Sequence, residues 1–147
     1  MPKCSDVMTP DPVFCEPNDS VRKAAKIMKQ HDVGPVPVVD SQASRRLVGM
    51  VTDRDLVVRV LADDRNIEQA TVRDAMSTNP VACRLDDDVQ KAVQLMSERQ
   101  LRRMPVVDEA GRLQGIIAQA DIATRVGSDK KTGELVEAIS EPAGARK

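Results

Sequence analysis

The sequence predicts a mixed α+β fold made of two copies of one β-α-β-β-α unit. An internal repeat supports this prediction, since residues 7–13 recur as 75–81, with Met76 opposite Met8 at an offset of 68 (76 − 8). Within each copy, short β-branched runs alternate with segments of helical periodicity, as in small sheets covered by helices. At 147 residues the chain is long enough for one compact domain or for two small ones that share a core.

The repeat continues to the end of each copy with one change of offset. Gly49 aligns with Gly115 at an offset of 66 (115 − 49), because the first copy has two more residues in the polar loop 41–46. An insertion in a polar loop is typical of a duplicated domain. The predicted boundaries are residues 5–61 for the first copy, 62–70 for a linker, 71–126 for the second copy, and 127–147 for a tail with a helix at 134–139 and disorder from 141.

Hydrophobic patterns predict the elements within a copy. Apolar residues at i, i+3, i+4 and i+7 from Val21 to Met28 form one helical face, and Ser20 precedes them as an N-cap. The first copy should contain a lead-in helix at 5–8, a strand at 13–15, a helix from 21, strands at 36–39 and 47–51, and a helix at 53–61 that buries Leu56, Val57 and Val60. The second copy should repeat this order, with a lead-in helix at 72–76, a strand at 81–83, N-cap side chains at 86–88, and a last helix that buries Ile122, Ala123 and Val126.

Two equivalent prolines constrain the strands. Pro37 and Pro105 each stand in a Pro-Val-Val-Asp run, and proline has no N–H to donate to a neighbouring strand. We therefore expect each proline to lie on an edge strand or at the start of its strand.

Composition disfavours several classes of function. The formal net charge is -1 and Phe14 is the only aromatic residue, so the chain lacks the basic field and the stacking platforms used in RNA recognition. Nucleic-acid binding would need a basic surface that only folding could assemble, from Lys23, Lys26, Lys29, Arg45 and Arg46, and the three lysines are expected on a solvated helix face. With no signal-like start and no apolar run that could span a bilayer, we expect a cytoplasmic protein without a membrane role.

Neither a metal site nor catalytic chemistry is expected. Cys4, Cys15 and Cys83 lack the close spacing of metal and redox motifs, and the single His31 is expected to cap carbonyl groups at the end of a helix. Cys15 and Cys83 occupy equivalent positions, where we expect small buried residues in preference to disulfide partners. Because no nucleophile-base pair or glycine-rich phosphate loop appears, the protein is not predicted to be an enzyme.

The most informative stretch joins the predicted strand at 47–51 to the predicted helix at 53–61. It places Thr52 and Asp55 three residues apart after Gly49-Met-Val, and the second copy keeps Asp121 but has Ala118 at the threonine position. Thr-x-x-Asp is a capping box, which explains both residues as a helix start. The same start offers free N–H groups to a phosphate and a carboxylate to a ribose, so the two interpretations are compatible.

These repeated motifs resemble a tandem pair of CBS domains, the module named after cystathionine β-synthase. The resemblance covers about residues 5 to 126 and includes the Pro-Val-Val-Asp strand and the Gly-Φ-Φ-x-x-x-Asp junction in both copies. It implies that the copies pack about a pseudo-two-fold axis with two related clefts. It further implies an adenosine-containing ligand such as AMP, ADP, ATP, NAD or S-adenosylmethionine.

The resemblance also implies which residues line each cleft. Asp55 would hold the ribose hydroxyls and Thr52 would face the phosphate, while part of the base and phosphate contacts would come from the other copy. The principal cleft is predicted to contain Thr52, Arg54, Asp55, Val36, Met50, Asn79, Pro80, Val81, Arg102 and Arg103. A weaker cleft is predicted to contain Asp121, Pro12, Val13 and Met104. Solvent-facing charge remains an alternative for Arg102 and Arg103, and the direction of Arg54 is open.

The sequence thus supports a regulatory adenine-nucleotide sensor that forms a homodimer and acts on an unknown effector protein. The alternative is a ligand-independent dimerisation or scaffolding protein, in which Thr52 and Asp55 only cap a helix. The pattern does not distinguish among the nucleotides, nor between parallel and antiparallel dimers.

Overall fold

A computed structural model describes residues 2–125 and confirms the mixed fold of helices and strands. The helices are α1 (Cys4–Val7), α2 (Val21–His31), α3 (Asp53–Leu56), α4 (Val72–Ala75), α5 (Val89–Arg99) and α6 (Gln119–Arg125). The strands are β1 (Thr9–Pro10), β2 (Val36–Val39), β3 (Leu47–Val51), β4 (Ser77–Thr78), β5 (Cys83–Arg84), β6 (Arg103–Val107) and β7 (Leu113–Ala118). A π-helical turn (Val57–Leu61) follows α3 directly. Val126 and the tail predictions for 127–147 lie outside the described residues.

The described chain forms two compact units that do not coincide with the sequence copies. The first-repeat unit contains residues 13–80 and 110–113, and its sheet has the order β2-β3-β4. The second-repeat unit contains residues 2–12, 81–109 and 114–125, and its sheet has the order β1-β7-β6-β5. Each sheet is therefore completed by the short strand that precedes the other copy along the chain.

Equivalent glycines allow these short strands to approach closely. β4 pairs antiparallel with β3 through Gly49 and Thr78, and β1 pairs antiparallel with β7 through Gly115 and Pro10. A Cβ on Gly49 would lie 2.5 Å from the Ser77 carbonyl oxygen, and one on Gly115 would lie 2.8 Å from the Thr9 carbonyl oxygen. The glycine that opens the Gly-Φ-Φ motif is thus required by strand packing.

The strands predicted at 13–15 and 81–83 are shorter than the sequence suggested. Cys15 forms only an isolated parallel bridge with Val38, donating its N–H to the Pro37 carbonyl at 3.0 Å. In this parallel pattern the next bond towards the N-terminus would need an N–H from Pro37, which proline lacks. The same limit applies in the second copy, where β5 begins only at Cys83, opposite Val106.

The edge prediction for the two prolines is half right. Pro37 lies in β2 at the edge of its sheet, as expected. Pro105 is the third residue of β6, which lies between β7 and β5, so the expectation of an edge or a strand start is wrong there. The proline is tolerated because β5 starts beyond the position that would need its N–H.

The helix after Thr52 exposes residues that the helical pattern placed in the core. Val60 is 2% exposed, but Val57 is 54% exposed, and Leu56 is only partly buried. The Ala62 N–H donates to the Val57 carbonyl, an i+5 bond that widens the turn and rotates the residues after it. In the second copy Ile122 is buried as predicted, whereas Ala123 is exposed.

Helix α2 and its counterpart α5 appear as predicted, with one exception at a cap. Ser20 accepts the Lys23 N–H at 3.0 Å and starts α2, and the lead-in helices appear as α1 and α4. Asp88 occupies the N-cap of α5, but its side chain does not cap the helix and instead pairs with Lys3 at 2.9 Å.

Each unit has a core of aliphatic, methionine and cysteine side chains, in line with a chain that has one aromatic residue. In the second-repeat unit the core includes Met96, Met104 and Ile117, all fully buried. In the first-repeat unit it includes Val36, Val38 and Val51. Among the described residues, every helix is too short or too polar to cross a membrane.

Candidate functional site: the helix start at Thr52

Thr52 is the N-cap of α3, at the point where strand β3 ends. Its N–H donates to Asp55 Oδ2 at 2.9 Å, and its Oγ1 accepts the Asp55 N–H at 3.1 Å. These reciprocal bonds form the predicted capping box. The Thr52 hydroxyl uses a lone pair in this cap, so its hydrogen remains available to a further acceptor such as a phosphate oxygen.

Asp55 uses one carboxylate oxygen in the cap and keeps the other accessible. Its side chain is 19% exposed, and Oδ1 lies 3.9 Å from Arg59 Nε, beyond ordinary hydrogen-bond distance. The Arg59 guanidinium is held in turn by the carbonyls of Met76 and Ala75, to which its Nη1 donates at 3.0 and 3.3 Å. Asp55 therefore has free acceptor capacity beside a fixed positive charge.

The second copy retains half of this arrangement. The Ala118 N–H donates to Asp121 Oδ2 at 3.0 Å, which matches the bond from Thr52 to Asp55. Alanine has no hydroxyl, so the return bond from the threonine side chain is lost. Asp121 keeps its position at the helix start, while the group that would donate to a phosphate is missing.

A similar box elsewhere shows that capping alone does not identify a ligand site. At the start of α4 the Thr71 N–H donates to Asp74 Oδ2 at 2.9 Å, and Arg65 lies 3.6 Å from Asp74 Oδ1. The pKa of Asp74 lies below its ordinary value, first because of the Thr71 N–H and then because of the Arg65 charge, while desolvation opposes the shift. Thr-x-x-Asp thus caps a helix at both places, with no ligand needed. A ligand role for Thr52 and Asp55 needs separate support.

The structure brings together part of the predicted principal cleft. Met50 lies in β3 opposite Ser77 of β4, and Asn79 follows β4 with a left-handed backbone at φ 54°. The first-repeat unit holds Val13, Val36, Met50, Thr52, Arg54, Asp55, Asn79 and Pro80. The second-repeat unit holds Pro12, Val81, Arg102, Arg103, Met104 and Asp121. The assignment of these residues to two shared clefts stays a prediction.

Two predicted wall residues belong to the cores instead of an open surface. Val36 in β2 and Met104 in β6 occupy equivalent positions, and both are 0% exposed. Each packs among the aliphatic side chains of its own unit. Neither side chain is exposed in this structure. The assignment of Val36 to the principal cleft and of Met104 to the weaker cleft stays a prediction.

Arg102 and Arg103 precede or begin β6 and are exposed. The Arg102 carbonyl accepts the Gln119 N–H at 2.9 Å, so its backbone is attached to the start of α6, in the unit that contains Asp121. The equivalent Gly34 lies beside the start of α3, where an added Cβ would be 2.9 Å from Asp53 Oδ1. The backbone of Arg102 therefore lies next to the start of α6, the helix of its own repeat. The sequence pattern did not indicate this neighbour. Arg54 is exposed on α3.

Sequence reasoning missed Arg59, although its spacing of four residues from Asp55 was a usable signal. Phe14 is the only aromatic residue of the sequence and therefore the only aromatic ring that could stack on a base. The guanidinium of Arg45 lies over the Phe14 ring at 5.3 Å from the centroid, so one ring face is already covered within the first-repeat unit.

Within the described residues, no cluster of three or more His, Cys, Asp or Glu side chains could hold a metal ion.

Comparison with known proteins identifies relatives across nearly the whole chain. The CBS domain model matches residues 4–62 and again residues 72–128. The CBS domain-containing protein YhcV of Bacillus subtilis is 38% identical over 140 residues, which cover 95% of this chain and 96% of that protein.

Two solved structures are similar in both sequence and shape. The Hypoxic Response Protein I with two coordinated zinc ions is 31% identical with a TM-score of 0.76, covering 84% of this chain and 98% of that one. CBSX2 in complex with AMP is 28% identical with a TM-score of 0.74, covering 87% of this chain and 98% of that one. The two matches to the family model together span most of the 147 residues, and this chain therefore belongs to the CBS domain family.

Proposed function

We propose that this protein is a regulatory module that binds an adenosine-containing ligand at the start of α3 and signals occupancy to a partner protein. The observation that supports this most directly is the unused acceptor capacity of Asp55 beside the Thr52 hydroxyl. A relative of the same fold, CBSX2, has been solved with AMP bound. The role is binding, with no catalytic step assigned to any residue.

The proposed contacts follow from the chemistry of each group. Asp55 Oδ1 accepts a ribose hydroxyl, while Oδ2 stays in the cap with the Thr52 N–H. The Thr52 hydroxyl donates to a phosphate oxygen near the N–H groups that open α3. Met50 and Pro80 are partly exposed in the same unit and supply apolar contact for the base.

Phe14 is the only aromatic residue of the chain, and Arg45 already covers one face of its ring. The site therefore cannot hold a base by extensive aromatic stacking. We therefore expect apolar contacts and backbone hydrogen bonds to hold it, with a Kd in the micromolar range, about −8 kcal/mol. That range suits a sensor of cellular nucleotides. AMP, ADP, ATP, NAD and S-adenosylmethionine remain the candidate ligands.

A second function is favoured by a different observation. Val57, Val58 and Leu61 on the π-helical turn are 54%, 44% and 56% exposed, which is unusual for aliphatic side chains on one short segment. Together with a capping box that needs no ligand, this exposure supports the alternative of a ligand-independent homodimer or scaffold.

Thermal unfolding with each of the five ligands tests the proposal. A ligand that binds only the folded state must raise Tm, by an amount that grows with its concentration above Kd. We expect at least one adenosine compound to raise Tm and to change the sedimentation or crosslinking pattern of the protein. If none raises Tm while the protein remains dimeric at all concentrations, the scaffold function replaces the sensor.

Guanosine and cytidine monophosphates serve as matched controls, because they carry the same ribose and phosphate with a different base. An equal response to all three monophosphates would show that the base is not recognised, which would contradict an adenosine sensor. Salt-dependent mobility shifts with DNA and RNA test the nucleic-acid alternative.

A further inference from the structure

Asp53 is the first residue of α3 and directly follows Thr52, the N-cap at the proposed site. It is exposed, and it takes no part in the capping box, whose carboxylate comes from Asp55. Its carboxylate lies against the backbone of Gly34, since a Cβ added there would be 2.9 Å from Asp53 Oδ1 and 3.4 Å from its Cγ. Asp32, two residues before Gly34, is also exposed, at the C-cap of α2. The chain therefore brings two carboxylates to this corner that the cap does not use.

The charges at this corner limit how much negative charge a ligand can bring. The N–H groups that open a helix attract anions, so Asp53 and Asp55 compete with a ligand phosphate for the same positive end. Arg59 lies 3.9 Å from Asp55 and offsets its charge, and Arg54 is exposed on α3 and can offset that of Asp53. With Asp32 the corner has a net charge of −1, from two arginines and three aspartates (2 − 3). One phosphate is held by the N–H groups, whereas each further phosphate adds repulsion.

The second repeat has the opposite charge at the equivalent positions. Residues 32, 34, 35 and 53 correspond to residues 100, 102, 103 and 119, at offsets of 68 and 66. The first set is Asp, Gly, Pro and Asp, with a charge of −2, and the second is Gln, Arg, Arg and Gln, with a charge of +2. The Gln119 N–H donates to the Arg102 carbonyl at 2.9 Å, so these positions adjoin in the second-repeat unit as Asp53 and Gly34 do in the first. The fold therefore accepts a neutral residue at the first helical position, and the architecture does not require Asp53.

We propose that Asp53 is a specificity-determining residue, which restricts the first-repeat site to adenosine ligands with no more than one phosphate. This role of Asp53 rests on the proposed function and narrows its ligand class. The phosphate of AMP accepts hydrogen bonds from the Thr52 hydroxyl and from the N–H groups at the start of α3, whereas the additional phosphates of ADP and ATP bring negative charge towards Asp53. S-adenosylmethionine has no phosphate and is compatible with the site.

Calorimetric titrations with AMP, ADP and ATP test this role. All titrations use the full chain with Asp121→Ala, so that the second copy lacks its own candidate ribose acceptor, and contain EDTA, so that no divalent cation neutralises the phosphates. At low salt we expect the affinity to fall in the order AMP, ADP, ATP, with ATP about tenfold weaker than AMP. At about 0.5 M salt the difference should shrink to less than about threefold, because exposed charges are screened.

The variant Asp53→Gln copies the neutral residue of the second repeat and should therefore fold. Removing one negative charge should raise the ATP affinity about fivefold and the AMP affinity about twofold, because ATP has more negative charge. Asp63→Asn is the matched control, since Asp63 is exposed in the same unit, beyond the π-helical turn. This control should leave the ratio of the two affinities unchanged.

Binding of ATP at least as tightly as AMP at low salt would overturn this role of Asp53. If Arg102→Gln then weakened ATP binding, an arginine of the second repeat would supply the phosphate contacts instead. Equal changes of the AMP-to-ATP ratio in Asp53→Gln and Asp63→Asn would also overturn it, because net charge alone would then decide the affinity. A failure of the proposed function looks different, since neither these nucleotides nor the other adenosine ligands would bind at all.

Discussion

Asp55 and Arg59 lie one helical turn apart, with the carboxylate Oδ1 3.9 Å from the guanidinium Nε. The same guanidinium donates to the carbonyls of Ala75 and Met76, at the end of α4 and just before β4. Arg59 therefore connects the proposed ribose-binding carboxylate to the strand that completes the sheet. An ion pair on an exposed helix face contributes little by itself, but the two carbonyl bonds hold this arginine in place.

Replacing Arg59 should weaken ligand binding, although Arg59 is not proposed to contact the ligand itself. In Arg59→Gln, Asp55 loses a nearby positive charge and α4 loses its bonds to the helix, so we expect AMP affinity to fall about fivefold, roughly 1 kcal/mol. Calorimetric titration measures the change. Arg65→Gln is the matched control, because Arg65 pairs with Asp74 at 3.6 Å in a box outside the proposed site. An equal loss in both variants would point to general destabilisation in place of positioning.

Three aspartates separate capping from ligand binding. Asp55→Ala should reduce AMP affinity by about tenfold or more, since a buried ribose hydroxyl would lose its charged acceptor. Asp121→Ala should spare most of the binding, because its site lacks the threonine. Asp74→Ala should leave binding unchanged, and each variant should cost about 0.5–1 kcal/mol of unfolding free energy. Equal effects of the first two on affinity would disprove an asymmetric pair of sites.

Restoring the lost threonine should stabilise the second copy. In Ala118→Thr the new hydroxyl can accept the Asp121 N–H and complete the box that the Ala118 N–H already half forms at 3.0 Å. Urea unfolding should show a gain of about 0.5–1 kcal/mol. Ala118→Val is the control, since it has a similar shape without the hydroxyl. A gain in both variants would assign the effect to packing.

The motif glycine should be irreplaceable for packing reasons. Gly49→Ala places a Cβ 2.5 Å from the Ser77 carbonyl oxygen, a backbone atom that cannot move alone, so β4 must separate from β3. We expect a loss of about 1–3 kcal/mol in unfolding free energy. Gly34→Ala meets only the Asp53 side chain, at 2.9 Å, which can rotate, so its loss should be smaller. The reverse order would show that the strand contact is not what requires Gly49.

Acid should expose the contribution of Asp74. Its pKa is lower in the folded state, mainly because of the Thr71 N–H, so its stabilising effect is present above the unfolded pKa of about 4 and is lost as the pH falls through the folded value. Asp74→Asn should therefore be less stable than the wild type near neutral pH and should lose less stability on acidification. Urea titrations of both proteins at about pH 6 and about pH 3 measure the difference in unfolding free energy near neutral pH and the loss on acidification. Parallel losses in the two proteins would contradict this assignment.

The sequence by itself determined the features that depend on neighbours in the chain. Ser20 starts α2 because its side chain accepts the Lys23 N–H, and Thr52 and Asp55 form a box across three residues. Strands β2 and β3 end where the apolar runs end. Helix caps and strand alternation are local interactions, so residue type and spacing predict them. The internal repeat then predicted the same order of elements in the second copy.

Only the tertiary structure decided the features that join distant segments. β1 pairs with β7 and β4 with β3, so each sheet includes the strand that precedes the other copy, and no local pattern records that choice. The missing N–H of Pro37 shortened the strand at Cys15, and an i+5 bond at Val57 turned a predicted core face outward. Such contacts arise from burial and backbone pairing across many residues, which spacing along a single chain does not encode.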